Sequence, residues 1–156
     1  MSEMKVTTPN DRDIVVTRFF AAPPALVFDA HTKPELVRRW QSGPDGWDWV
    51  VCDIDLKVGG AYHYRWRNAA GREIGFRGVY LEISRPDFYV HTERFEGGDE
   101  EIVGTVRFVA EAGGTRMTYT MRASSRAARD AMLKSGMTSG MEIGYARLDA
   151  YLESAA

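Results

Sequence analysis

A succession of strand-like segments joined by very short turns is the feature that most limits how this chain can fold. The segments cover residues 12–20, 47–56, 60–67, 73–84, 88–96, 101–110 and 115–124. Turns such as Gly59-Gly60, Gly97-Gly98 and Gly113-Gly114 separate the last six of them. Connections this short join antiparallel neighbours, because a parallel crossover needs a dozen or more residues. The sequence therefore predicts a seven-stranded antiparallel sheet, six strands of which follow one another as a meander.

Two of these segments show that one face of the sheet must be covered. Tyr62, Tyr64 and Trp66 alternate with His63, Arg65 and Arg67, and Met117, Tyr119 and Met121 alternate with Thr118, Thr120 and Arg122. Successive side chains of a strand point to opposite faces, so this alternation is typical of a sheet with one apolar and one polar face. The apolar face needs another element to lie on it.

A helix predicted over about residues 126–152 can provide that cover. Its apolar face consists of Met137, Met141, Gly144, Tyr145, Leu148 and Tyr151 or Leu152, and its polar side includes Arg147 and Asp149. The spacing of the apolar set is that of one helical face. Two shorter helices are predicted after the first strand, one beginning at Pro23-Pro24 and one at Pro34. The sequence therefore predicts an α+β fold in which a curved sheet wraps a long helix.

Three glycines spaced by four residues interrupt the predicted closing helix. Each of Gly136, Gly140 and Gly144 costs about 1 kcal/mol relative to alanine inside a helix, which indicates a geometric need. We expect close packing against the sheet at Gly136 and open space at Gly140 and Gly144. The alternative for Gly136 is a kink between a short helix and the main one.

Composition and charge exclude several classes of protein. The single cysteine, Cys52, cannot form an internal disulfide, and the chain shows neither a charged-then-apolar leader nor an apolar run near 18 residues. These features predict a cytoplasmic protein that does not span a membrane. The net charge of −2 comes from mixed signs without a basic stripe, so nucleic acid is not an expected partner. Because the histidines are scattered and phosphate-loop and nucleophile motifs are missing, we expect no metal and no cofactor.

The chain is rich in large, polarisable side chains that suit a binding cavity. It carries four tryptophans, seven tyrosines, seven phenylalanines and seven methionines. The residues expected to line a cavity are Trp40, Tyr62, Tyr64, Trp66, Phe76, Met137, Met141 and Tyr145. Such a lining suits a flat or irregular apolar ligand. The alternative is that the same side chains interdigitate and fill the core.

An ionisable pair is expected on the inner face of the segment 88–96. His91 and Glu93 lie two residues apart and share a face with Tyr89 and Phe95. Histidine and carboxylate groups in an apolar interior have shifted pKa values and can act as acid and base. Glu82 is a third candidate. The alternative is a hydrogen-bonded structural pair, and His31 and His63 are expected to be exposed.

A set of short motifs resembles the START-like, or SRPBCC, superfamily, and within it the branch named after the C-terminal domain of the activator of heat shock protein 90 ATPase. The motifs are the runs 17–23, 27–30, 55–60, 64–67, 78–83 and 91–95, with Trp40, Arg129-Asp130 and Ser135-Gly136-Met137. The resemblance covers about residues 12–153. It implies a helix-grip (Bet v 1-like) fold with a hydrophobic cavity. Gln41 and Ser42 depart from it, since the family often has a second tryptophan and an apolar residue there.

Residue pattern and resemblance together predict a flexible tail over residues 1–11 and a single START-like domain over residues 12–156. The leading functional hypothesis is binding of a small hydrophobic or aromatic molecule between the sheet and the last helix. One alternative is an enzyme of the cyclase or hydrolase type that uses His91 and Glu93. Another is a chaperone-associated, ATPase-activator-like interaction module. The sequence leaves open whether the chain forms a homodimer and whether it catalyses a reaction.

Overall fold

The computed structural model describes residues 3–43 and 45–155, so that Met1, Ser2, Pro44 and Ala156 lie outside the described residues. This part of the chain forms eight strands and four helices. The strands are β1 (Lys5–Thr7), β2 (Asp13–Phe20), β3 (Trp47–Ile54), β4 (Ala61–Asn68), β5 (Glu73–Ser84), β6 (Phe88–Phe95), β7 (Glu101–Glu111) and β8 (Gly114–Arg122). The helices are α1 (Pro24–Thr32), α2 (Pro34–Trp40), α3 (Arg126–Lys134) and α4 (Met137–Ala155). None of these helices has the length and apolar character that crossing a bilayer requires.

All described strands join in one antiparallel sheet with the order β1-β2-β8-β7-β6-β5-β4-β3. The strands β3 to β8 follow the predicted meander, and β2 pairs with β8 through matches such as Val16 with Tyr119. The α+β fold with a sheet wrapped on a C-terminal helix is therefore confirmed.

The sheet has one strand more than the seven predicted. Lys5–Thr7 pairs with the free edge of β2, with Val6 opposite Val16. The prediction of a flexible tail over residues 1–11 is wrong for this segment. Its side chains are exposed, so no apolar pattern marks it, and the unpaired backbone groups of an edge strand are enough to hold it.

The inner face of the sheet carries the core. The alternation predicted for β4 is observed, since Tyr62, Tyr64 and Trp66 are all buried. The other buried inner-face side chains include Ile14, Val16, Phe20, Tyr89, Val106, Phe108, Met117 and Met121. Helices α1 and α2 close one end of this face, where Trp40 of α2 donates its indole N–H to the Ala30 carbonyl of α1 over 2.8 Å.

The helix predicted over about residues 126–152 is in fact two helices. Gly136 separates α3 from α4 and has a φ of +84°, in the left-handed region that favours glycine. The kink alternative is therefore correct for Gly136, and the expected close packing there is wrong. Gly140 has open space as expected. Gly144 does not, because a Cβ there would lie 3.5 Å from the Trp40 ring.

Alanine should change the stability of the protein in opposite directions at Gly140 and at Gly136. Gly140→Ala is expected to raise the free energy of unfolding by about 0.5–1 kcal/mol, since the added methyl meets nothing and the unfolded chain loses freedom. Gly136→Ala is expected to lower it by about 1–2 kcal/mol, because alanine is strained at positive φ. Urea unfolding followed by circular dichroism measures both. Equal effects of the two substitutions would contradict this account of the break.

An ion pair fastens the sheet to α4. Arg18 lies on the inner face of β2, and its guanidinium donates to both carboxylate oxygens of Asp149, at 2.8 and 2.6 Å. The guanidinium carbon lies 4.9 Å from the centre of the Phe20 ring and 5.8 Å from that of the Tyr145 ring. Asp149 was expected on the solvent side of the helix. Its contact with a buried arginine ties two elements that are far apart in the sequence.

Candidate functional site

A hydrogen-bonded polar group lies among aromatic side chains on the inner face of the central strands. The Tyr62 hydroxyl lies 2.7 Å from the Thr92 carbonyl, to which it donates, and 3.1 Å from Nδ1 of His91. Nδ1 of His91 also lies 3.0 Å from the Thr92 carbonyl. Because a carbonyl oxygen can only accept, we assign the ring hydrogen of the neutral imidazole to Nδ1. Nε2 is then free to accept from the Tyr119 hydroxyl, 3.4 Å away. The carboxylate of Glu93 lies 3.4 Å from the Tyr62 hydroxyl.

Two glycines on the neighbouring strands make room for this group. A Cβ at Gly104 of β7 would lie 2.6 Å from Nε2 of His91 and 2.8 Å from Cε1 of Tyr119. A Cβ at Gly78 of β5 would lie 2.6 Å from Cε1 of Tyr62. Glycine inside a strand often marks such a close approach, and these two positions let the side chains lie flat on the sheet.

Burial shifts the two ionisable groups in opposite directions. It lowers the pKa of His91 to about 4, against the opposing effect of its hydrogen bond to Thr92. It raises the pKa of Glu93 to about 7, against the opposing effect of the Tyr62 hydroxyl. At neutral pH His91 is therefore uncharged, while Glu93 exchanges between its acid and its carboxylate. No arginine or lysine of the described residues counts among the groups that shift Glu93.

Six tyrosines lie on or against the inner face that carries His91 and Glu93, and we call this set the phenol cluster. Its members are Tyr62, Tyr64, Tyr80, Tyr89, Tyr119 and Tyr145. Ring centres are 5.1 Å apart for Tyr62 and Tyr64, and the His91 ring is 5.6 Å from Tyr89 and 5.9 Å from Tyr119. Burial raises the pKa of every hydroxyl in the set, with smaller contributions from Glu93 to five of them. All six phenols therefore stay protonated at neutral pH.

The structure divides the eight residues predicted to line a cavity into three groups. Trp40 and Tyr145 stack on each other, with ring centres 5.7 Å apart, next to α1. Tyr62, Tyr64, Trp66 and Phe76 form a chain of ring contacts across β4 and β5. Met137 and Met141 lie on the first half of α4, partly buried against the core.

Part of the inner face is incompletely covered. Phe76, Glu93 and Tyr119 belong to the inner face but remain partly exposed, as do Met137 and Met141 of the helix. The backbone of α4 lies nearest to that of α2, with α1 and α3 also close to it. The exposed part of the inner face is thus where Glu93 lies.

Two expectations about polar residues are wrong. Glu82 does not join His91 and Glu93, because a register shift between Tyr80 and Glu82 places Glu82 opposite Val90, where it is exposed. His31, expected to be exposed, is buried against Trp40 and Phe108, with ring centres 4.9 and 5.1 Å away.

His31 and His63 have different environments. Nδ1 of His31 donates to the Val27 carbonyl over 2.8 Å, and Nε2 has no hydrogen-bond partner among the described residues. Burial lowers the pKa of His31 to about 4. His31 follows Val27 by one helical turn on the buried side of α1, and this spacing could have revealed its burial. His63 lies on the outer face and pairs with Glu96 at 2.8 Å.

Sequence reasoning missed Tyr80 and Tyr119 as members of the site. Tyr119 alternates with threonines on β8, and its proximity to His91 depends on the pairing of β6, β7 and β8. A depression of about 380 Å³ lies at the turn between β7 and β8 and is lined by Pro23, Pro24 and residues 110–114. None of the residues predicted for the site lines it.

Solved structures with the same fold cover nearly the whole chain. A crystal structure of a Rhodobacter sphaeroides protein has a TM-score of 0.93 and 27% identity, covering 97% of this chain and 99% of that one. Protein Ms6760 from Mycobacterium smegmatis gives a TM-score of 0.86 at 23% identity, over 96% and 97% of the two chains. An AHSA1-like protein from Aeromonas hydrophila gives 0.71 at 20% identity, over 89% and 93%. A search of curated proteins found no match.

The sequence profile of one family covers most of the chain. Residues 21–153 match the family described as Activator of Hsp90 ATPase homolog 1-like protein. This match agrees with the resemblance noted for the short motifs and with the helix-grip arrangement of the sheet and α4. The chain therefore belongs to the Activator of Hsp90 ATPase homolog 1-like family, within the START-like superfamily.

Proposed function

We propose that this protein binds a small, largely aromatic molecule at the inner face of its sheet, beneath the first half of α4. The observation that carries the proposal is the partly exposed Glu93, on the inner face that also carries the phenol cluster. Sites for small molecules are typically lined by aromatic groups with a few polar groups that orient the ligand. The family and its START-like fold are consistent with this role.

The energetics of Glu93 support a functional role for it. Desolvating an ionisable group without a charged partner is unfavourable, and folded proteins rarely keep one for stability alone. Here desolvation raises the pKa of Glu93 to about 7, and the Tyr62 hydroxyl offsets only part of that cost. Strongly shifted groups of this kind are concentrated at functional sites. A ligand that interacts with Glu93 would make this unfavourable placement useful.

Filling the proposed binding space beneath α4 should weaken binding. We expect the neutral fluorescent probe N-phenyl-1-naphthylamine to bind the native protein, and Met141→Trp to weaken its binding by about tenfold or more, since a bulky indole would occupy the space. Ile143→Trp is the matched control, because Ile143 lies on the same helix and is 41% exposed. Isothermal titration calorimetry measures both affinities. Failure of the native protein to bind, or equal affinities for the two variants, would contradict the proposal.

An acid–base enzyme is a second candidate, favoured by the pKa of Glu93 near 7 and by the Tyr62 hydroxyl 3.4 Å from its carboxylate. A general acid or base works best when its pKa lies near the working pH. Organic extraction of the purified protein would identify a bound molecule, and its conversion could then be followed by mass spectrometry. Conversion that continues undiminished in a Glu93→Gln variant would exclude this role for Glu93.

A further inference from the structure

The inner face of the sheet carries a partly exposed carboxylate, Glu93, whose titration is not shifted by any arginine or lysine of the described residues. Arg18, which faces the interior from β2, is occupied by both oxygens of Asp149. The buried guanidinium of Arg129 is occupied by the Asn10 carbonyl and by Asp130. Burial and the hydroxyl of Tyr62 are the causes of the altered titration of Glu93, without a basic group. A ligand that reaches Glu93 would therefore bring the first positive charge to it.

The groups around Glu93 are suited to such a charge. The rings of Tyr62 and Tyr64, and those of Tyr89 and Tyr119 on either side of His91, form adjoining aromatic surfaces. The faces of aromatic rings carry negative potential and attract organic cations, most strongly where water is excluded. The imidazole of His91 is neutral, and its Nδ1 hydrogen is directed to Thr92, so it adds no repulsion.

The neighbouring phenols do not offer an alternative counter-ion. Burial raises the pKa of their hydroxyls, so they contribute ring faces and hydrogen bonds but no negative charge. Glu93 is then the group that can neutralise a bound cation within this cluster. A neutral aromatic ligand would gain from the rings but would leave the carboxylate desolvated without compensation.

We propose that the ligand is an organic cation, namely an amine or quaternary ammonium group carried on an apolar body, with its charge placed between the phenol cluster and the Glu93 carboxylate. This inference rests on the proposed function and specifies its ligand class. Binding converts protonated Glu93 into its carboxylate and releases the proton to solvent. Affinity for the cation therefore rises with pH as Glu93 ionises, whereas affinity for a neutral molecule of the same shape does not.

Two probes of equal shape test the charge. Benzyltrimethylammonium and neopentylbenzene differ in that a quaternary nitrogen replaces a quaternary carbon, and their displacement of N-phenyl-1-naphthylamine gives both affinities. At pH 8 we expect the cation to bind about tenfold more tightly than the hydrocarbon, as a desolvated cation–π contact and a charge pair allow. Glu93→Gln should remove this preference. Glu82→Gln removes an exposed carboxylate from β5 with the same change in net charge and should preserve it.

The outcomes separate this inference from the proposed function. If the hydrocarbon displaces the probe as well as the cation does, or if Glu93→Gln leaves the preference unchanged, the ligand is not a cation and the binding function still stands. If neither the naphthylamine probe nor benzyltrimethylammonium, titrated directly by calorimetry, binds the native protein, both proposals fail. The pH dependence needs no variant, since an affinity for the cation that stays constant from pH 6 to 8 in the native protein would overturn the inference even if Glu93→Gln failed to fold.

Discussion

Replacement of Asp149 by alanine is expected to lower the free energy of unfolding by about 3 kcal/mol, because it leaves a buried arginine without its counter-ion. The Arg18 side chain is only 5% exposed, whereas that of Asp149 is 32% exposed. Water can therefore reach the carboxylate side of the pair but cannot solvate the guanidinium that remains. Urea unfolding followed by tryptophan fluorescence measures the change.

Two further variants show that the unpaired charge is the cause. Arg18→Met combined with Asp149→Leu should restore most of the lost stability, since apolar groups of similar size often replace a buried ion pair at little cost. Glu111→Ala breaks the exposed pair with Arg116 and should cost less than about 1 kcal/mol. If Asp149→Ala proves no more harmful than Glu111→Ala, the pair does not hold α4 to the sheet.

The second large effect is a stabilisation. Glu93→Gln is expected to raise the free energy of unfolding above pH 7 by up to about 3 kcal/mol, the equivalent of the pKa difference between the folded and unfolded states. The folded-state pKa is about 7 and the ordinary value is 4.5, so the folded protein holds the proton more tightly. The stability contributed by that proton is present at low pH and is lost as pH rises through 7. Glutamine carries no charge and avoids the loss.

The two buried histidines change the pH dependence of stability in the opposite direction to Glu93. His31 and His91 both have a pKa of about 4 in the folded protein and an ordinary value of 6.5, so unfolding takes up two protons as pH falls between these limits. Between pH 4.5 and 6.5 Glu93 releases one proton on unfolding. Stability should therefore fall with falling pH by about 1.4 kcal/mol per unit, and Glu93→Gln should double that slope. Urea unfolding at a series of pH values measures it, and an unchanged slope in the variant would show that Glu93 titrates normally.

The sequence predicted the sheet well because its information is local. Glycine turns and period-two alternation decide which segments pair and which face is apolar, so Tyr62, Tyr64 and His91 were assigned to the inner face from their neighbours alone. Glu82 was misplaced because the register shift after Tyr80 reverses the faces, and no residue pattern in β5 marks that shift.

Other features depend on partners far away in the chain. Arg18 pairs with Asp149, which lies 131 positions later in the sequence. Neither an arginine nor an aspartate is a residue type that sequence reasoning would place on the inner face. Gly144 was assigned to open space because its contact, Trp40, belongs to a different helix. The gathering of the strand tyrosines of the phenol cluster on one face likewise requires the registers of several strand pairs together. Pairing over such distances comes from the assembled sheet and not from any segment of it.

The glycine at position 104 constrains how this family member can change over evolutionary time. A Cβ at that position would lie 2.6 Å from Nε2 of His91 and 2.8 Å from the Tyr119 ring, so a side chain there requires these rings to shift. A lineage that acquired alanine at position 104 would first have to replace or redirect the imidazole, and the reverse order would pass through a strained intermediate. Among related chains, a histidine at position 91 should therefore be inherited together with a glycine at position 104.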